Sequence, residues 1–158
     1  MGNTGVIHAN EVQIMSAGSG IVHSEFNHLK DKEINLLQTW IFTKTKDIAP
    51  RYAQRSFTPE DYKNNFYNTV APIGSGKDLE INQDAWFYRG VFDKGLSPHY
   101  KLNNAAHGVY LFVIEGEVKI NGITLNKRDA IGIADTENFT IETINNNTDV
   151  LLIEVPLN

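Results

Sequence analysis

Gly108-Val109-Tyr110-Leu111-Phe112-Val113-Ile114-Glu115-Gly116-Glu117-Val118-Lys119-Ile120-Asn121-Gly122-Ile123-Thr124-Leu125 is the stretch that decides the fold class. Its first seven residues are rich in β-branched and aromatic side chains, which fit a pleated surface. Glu115-Gly116-Glu117 interrupts the run with a turn, and Val118-Lys119-Ile120 resumes it with apolar and polar residues in alternation. Asn121-Gly122 then supplies two residues that tolerate positive φ, as a two-residue type I′ hairpin turn demands. Ile123-Thr124-Leu125 is the returning strand. No helical period runs through these residues.

The same grammar extends in both directions. Downstream, Lys127-Arg128-Asp129 turns into Ala130–Ile133, Phe139–Thr143 alternates as one strand, Asn145-Asn146-Asn147 turns, and Val150–Val155 closes the chain. Upstream, Trp86–Phe92 has strand composition. Short strands with turns every eight to twelve residues describe an antiparallel barrel or sandwich. The expected class is all-β.

Upstream of the meander the signals are more mixed. Thr58-Pro59-Glu60-Asp61 reads as the start of a short helix, with a capping hydroxyl, proline in the first turn and acids at the amino end. Pro72-Ile73-Gly74-Ser75-Gly76-Lys77 is glycine-rich but lacks phosphate-loop spacing and leads into a strand. Val6-Ile7-His8 and Val12–Met15 read as two short strands around a polar turn. Leu36–Phe42 is a nearly unbroken apolar run, the pattern of a strand covered on both faces, with Trp40 expected in the core.

Met15-Ser16-Ala17-Gly18-Ser19-Gly20-Ile21-Val22-His23-Ser24-Glu25 holds the candidate site. Two glycines permit a tight turn, and β-branched Ile21 and Val22 then favour extended chain. On a strand His23 and Glu25 share one face, with Ser24 opposite. An imidazole and a carboxylate aimed at one spot form half of a site for a divalent metal, although a bare His-x-Glu is more often just a histidine and a glutamate at a strand end. His8 and His28 read as solvent-facing. His99 and His107 are eight apart and have no local partner.

Composition narrows the function classes. The chain has 158 residues, 41% hydrophobic and 21% charged, with a formal net charge of −5. That charge, with no lysine or arginine run, argues against a nucleic-acid partner. No apolar run reaches the roughly 20 residues that span a bilayer. Met1-Gly2-Asn3-Thr4-Gly5 has no signal-peptide pattern, so the cytoplasm is the expected compartment. With no cysteine, disulfides, thiolate catalysis and Cys-ligated metals are excluded.

Met15–Glu25, with Gly5-Val6-Ile7 before it and Leu37–Ile41 and Pro50-Arg51-Tyr52 after it, resembles the pirin family of double cupins. The resemblance continues in looser form to the C-terminus and points to the bacterial pirin-like quercetin 2,3-dioxygenases. It implies a partial N-terminal cupin over residues 1–49 and a complete, metal-free C-terminal cupin over 50–158. It also implies that His23 and Glu25 are metal ligands, that Glu25 is the candidate catalytic base, and that the metal is iron, nickel, copper or manganese. The family's other two ligands come from an earlier His-Pro-His segment that is absent from this sequence, Met1-Gly2-Asn3 matching the middle of the first cupin. Three expectations follow. The chain belongs to a flavonol-cleaving oxidoreductase type but holds an incomplete metal site, so that no metal need bind. As an alternative, it is an inactive protein-binding module or a truncated remnant. Apolar residues and strand edges left uncovered in the first cupin predict a homodimer or higher oligomer.

Overall fold

Asn121 and Gly122 take φ of 48° and 82° in the computed structural model, the conformation of the type I′ turn that their identities demand. The structure describes residues 4–157; the matching of Met1-Gly2-Asn3 to the middle of a cupin lies outside them. Among the described residues thirteen strands and one short helix follow in order: β1 (Glu11–Ser16), β2 (Arg51–Ser56), α1 (Pro59–Tyr62), β3 (Tyr67–Pro72), β4 (Glu80–Ile81), β5 (Trp86–Phe92), β6 (His99–Lys101), β7 (His107–Glu115), β8 (Glu117–Ile120), β9 (Ile123–Asn126), β10 (Ala130–Ile133), β11 (Asn138–Thr140), β12 (Glu142–Thr143) and β13 (Thr148–Pro156). The class is all-β, as the turn chemistry predicts.

The main sheet runs β10-β7-β13-β5-β3-β4, and the smaller sheets β12-β8-β9 and β11-β6 complete the cupin. β13 pairs along its length with both β5 and β7, which is why Val150–Val155 carries almost no polar side chain. The barrel interior is one cluster. Val109, Leu111 and Val113 of β7, Val150 and Leu152 of β13, and Phe92 of β5 meet Val118, Ile120, Leu125, Tyr100 and Phe139 from the smaller sheets. A second cluster joins Ile14 of β1 to Phe57, Tyr62, Val70 and Leu79, packed on Phe87 and Val91. β1 pairs with β2 in register from Glu11↔Ser56 to Ser16↔Arg51. Arg89 fastens this layer further: it grips Asp149 through two hydrogen bonds of 3.0 and 2.7 Å, donates to Asn10 Oδ1 and covers the Tyr62 ring. Bidentate guanidinium–carboxylate geometry of this kind holds orientation as well as charge.

Several expectations need correction. Phe139–Thr143 is two strands, because the chain changes partner: β11 pairs with β6 and β12 with β8, and Ile141 points into the core between them. Val6-Ile7-His8 is not a strand; β1 begins at Glu11, and the three residues are exposed. Leu36–Phe42 is not a strand either. Among the described residues none between Ala17 and Pro50 lies in a strand or helix, and Trp40 and Phe42 are 84% and 95% exposed. The composition of Leu36–Phe42 suits a covered strand, but a strand exists only through a ladder partner, and none of the described strands pairs with it. Its attachments are single hydrogen bonds, such as Gln83 Nε2 to the Phe42 carbonyl at 2.9 Å. In the other direction, β2, β3 and β6 were not legible as strands; Arg51–Ser56 has too little apolar content to announce itself.

Candidate metal half-site and the family of the chain

Gly18 makes the turn that precedes the His23 segment. Its φ is +55°, and a Cβ there would lie 2.0 Å from the Ile48 carbonyl oxygen, so no other residue fits without displacing the backbone. Beyond it Ile21–Asn27 runs outside any strand, and His23 and Glu25 are both exposed. The expectation that a strand aligns this pair is therefore not met. Glu25 is approached by two amides: Gln13 Nε2 and Gln38 Nε2 each stand 3.5 Å from one of its carboxylate oxygens. These contacts bring the 23–25 segment, β1 and the 36–42 run to one place.

Two donors do not make a resident transition-metal site. A redox-competent ion that must also admit substrate is held by three or four protein ligands. Among the described residues no group of three or more His, Asp or Glu side chains is placed to hold one. His8 and His28 are exposed, and His28 belongs to a polar loop. Among the described residues, then, the donors present do not fit a complete site.

The other two histidines separate as well. His99 is exposed on β6 and shares a hydrogen bond of 3.2 Å with Thr140 Oγ1. His107 is buried at the start of β7, its ring 5.5 Å from that of Trp86 and its Nδ1 3.2 Å from Glu154 Oε1. Glu154 is the residue that sequence reasoning passed over. It is wholly buried and accepts hydrogen bonds from the Tyr100 hydroxyl at 2.6 Å, from Asn103 N and Nδ2 at 2.9 Å each, and from Asn104 N at 3.1 Å. Its signal was a single acid inside the apolar Val150–Val155 run, which costs too much to bury unless partners are waiting.

The Pirin family model matches residues 1–41, and that of the quercetinase C-terminal cupin domain matches residues 69–155. The chain belongs to the pirin family. It is 35% identical over 156 residues to a quercetin 2,3-dioxygenase of Escherichia coli K12, covering 99% of this chain and 65% of that relative. A pirin-like protein of Caulobacter vibrioides is 34% identical over 145 residues, covering 91% of this chain and 62% of its own. Among solved structures, the bacterial pirin YhhW from Escherichia coli in complex with nickel(II) superposes with a TM-score of 0.83 at 32% identity, over 94% of this chain and 62% of that one. The chain thus spans less than two thirds of the length of these relatives.

No helix among the described residues is long and apolar enough to cross a membrane.

Proposed function

We propose that this chain is the cupin scaffold of a quercetin 2,3-dioxygenase-type pirin and carries one half of its divalent-metal site. In this reading residues 1–49 are the C-terminal part of a first cupin and 50–158 the second. His23 and Glu25 are metal donors that need further donors from outside the described residues. Glu25 is also the base that takes a hydroxyl proton from a flavonol, its carboxylate oriented by Gln13 and Gln38. The observation that carries the reading is that His23 and Glu25, two residues apart, are both open to solvent, and that no group of three or more such donors is assembled among the described residues. The relative named a quercetin 2,3-dioxygenase and the nickel-bound pirin support the substrate class and the kind of ion.

Quercetin consumption, followed by its visible absorbance with nickel, iron, copper or manganese added, tests this. The chain alone is expected to be inactive. Activity is expected when the part of the Escherichia coli relative that this chain does not cover is supplied as a separate polypeptide, and it should vanish in His23→Ala and Glu25→Ala. Turnover by the chain alone, lost in both variants, would show that donors within it complete the site.

A second reading rests on a different observation. Val22, Phe26, Trp40 and Phe42 are each at least 84% exposed, in one segment. Apolar surface of this extent marks an interaction site, and a protein-binding role requires the scaffold without the metal.

A further inference from the structure

A cleft of about 640 Å³ opens beside the second cupin, well within the size range of small-molecule sites. Strand register explains its walls. Trp86 and Tyr88 share the inward face of β5, with Glu154 and Leu152 opposite them on β13 and Asn68 opposite Tyr88 on β3. Phe66, Trp86 and Tyr88 present aromatic surface to the cleft, and Asn103 and Lys77 present polar groups.

The polar groups are of two kinds. The Tyr88 hydroxyl and the Asn103 side chain, 3.2 to 3.3 Å apart, both donate and accept. Asn103 is fixed there because Glu154 takes both its backbone N–H and its side-chain amide. Asn68 adds nothing to this pair, because its Nδ2 is spent on the Val70 and Phe87 carbonyls and its Oδ1 is buried. The second kind is cationic. Arg55 is occupied by Asp78, whereas Lys77 forms no ion pair among the described residues. Asp78, the carboxylate that lines the cleft, is paired with Arg55, and the buried Glu154 behind Asn103 has its oxygens filled by protein donors.

Flat aromatic walls, an amphoteric phenol–amide pair and one available ammonium group define a ligand. We infer that this cleft binds a phenolic carboxylate: a planar aromatic ring with a hydroxyl for Tyr88 and Asn103 and an acid group for Lys77. The site is separate from the metal half-site and requires no metal.

Calorimetric titration of the whole chain with 4-hydroxycinnamate, in the presence of a chelator, tests the inference. One ligand per chain is expected. Cinnamate, which lacks the hydroxyl, should bind roughly fivefold more weakly, as fits the net worth of one hydrogen bond. Tyr88→Phe should weaken 4-hydroxycinnamate by a similar factor while leaving cinnamate unchanged. Lys77→Ala should weaken both acids and leave the methyl ester of 4-hydroxycinnamate unaffected. His23→Ala, which disables the metal half-site, should change none of these values. No binding at millimolar ligand, binding indifferent to both Tyr88→Phe and Lys77→Ala, or binding lost in His23→Ala would each overturn it. Far-ultraviolet circular dichroism of every variant distinguishes a lost site from a lost fold.

Discussion

Replacing Glu154 by glutamine removes one oxygen acceptor and the charge from a wholly buried side chain that accepts four hydrogen bonds, with almost no change in volume. In the better of the two amide orientations the remaining oxygen keeps the Tyr100 and Asn103 donors. The new NH₂ then faces the Asn104 N–H, donor against donor, where the carboxylate now accepts at 3.1 Å. A buried N–H left unpaired costs about 1–3 kcal/mol, and three bonds that were charge-assisted each lose about 1 kcal/mol in becoming neutral. Relief of carboxylate desolvation returns part of this. The expected loss is about 3 kcal/mol, a large share of a stability of about 5–15 kcal/mol. Urea unfolding followed by circular dichroism should show an unchanged slope and a midpoint lower by about 1–2 M. Tyr100→Phe, which removes one of the donors, should cost about half as much. A loss below about 1 kcal/mol for Glu154→Gln would refute the view that this carboxylate pins the segment following β6.

Stability should fall on the alkaline side. Burial pushes the Tyr62 phenol up to about 12 and raises those of Tyr88 and Tyr100, the last helped by Glu154. A raised acid is held neutral by the fold, so its contribution is complete below pH about 10 and is lost as the pH rises through the folded value. Tyr62 alone should account for about 3 kcal/mol between pH 10 and 12, and Tyr62→Phe should flatten that part of the stability curve. Gly116→Ala should destabilise by at least about 2 kcal/mol, because φ is +87° and a Cβ would meet Thr148 Oγ1 at 2.7 Å. Gly122→Ala, at φ +82° with open space around it, should cost about 1 kcal/mol, so urea midpoints of the two variants isolate the clash. The exposed apolar run should drive self-association: light scattering at tens of micromolar is expected to show a dimer or larger species, shifted toward monomer by Trp40→Ser with Phe42→Ser. A monomeric parent would remove that expectation.

Legibility in the sequence followed how locally each feature is determined. The Asn121-Gly122 hairpin, the Thr58-Pro59 helix start and the strands at Trp86–Phe92 and Gly108–Ile114 depend on neighbouring residues and were readable. Thr58 indeed closes a capping box with Asp61, although the helix ends after one turn. Leu36–Phe42 has the same local credentials as Val150–Val155, yet only the latter lies between two strands. Apolar content reports that a strand needs covering, and pairing depends on what else the chain brings alongside. Trp40, expected in the core, is exposed for the same reason. The candidate site divides similarly. The His23-x-Glu25 spacing was visible at once, while the Glu154 network was not, because its donors come from the Tyr100–Asn104 segment about fifty residues away.

Metal stoichiometry tests the central claim most directly. Elemental analysis of the untagged chain, purified without chelator and compared with His23→Ala and Glu25→Ala, should find no iron, nickel, copper or manganese near one per chain, and the variants should match the parent. About one such ion per chain, lost in both variants, would show that His23 and Glu25 belong to a site completed within this protein, and would contradict the account of a half-site.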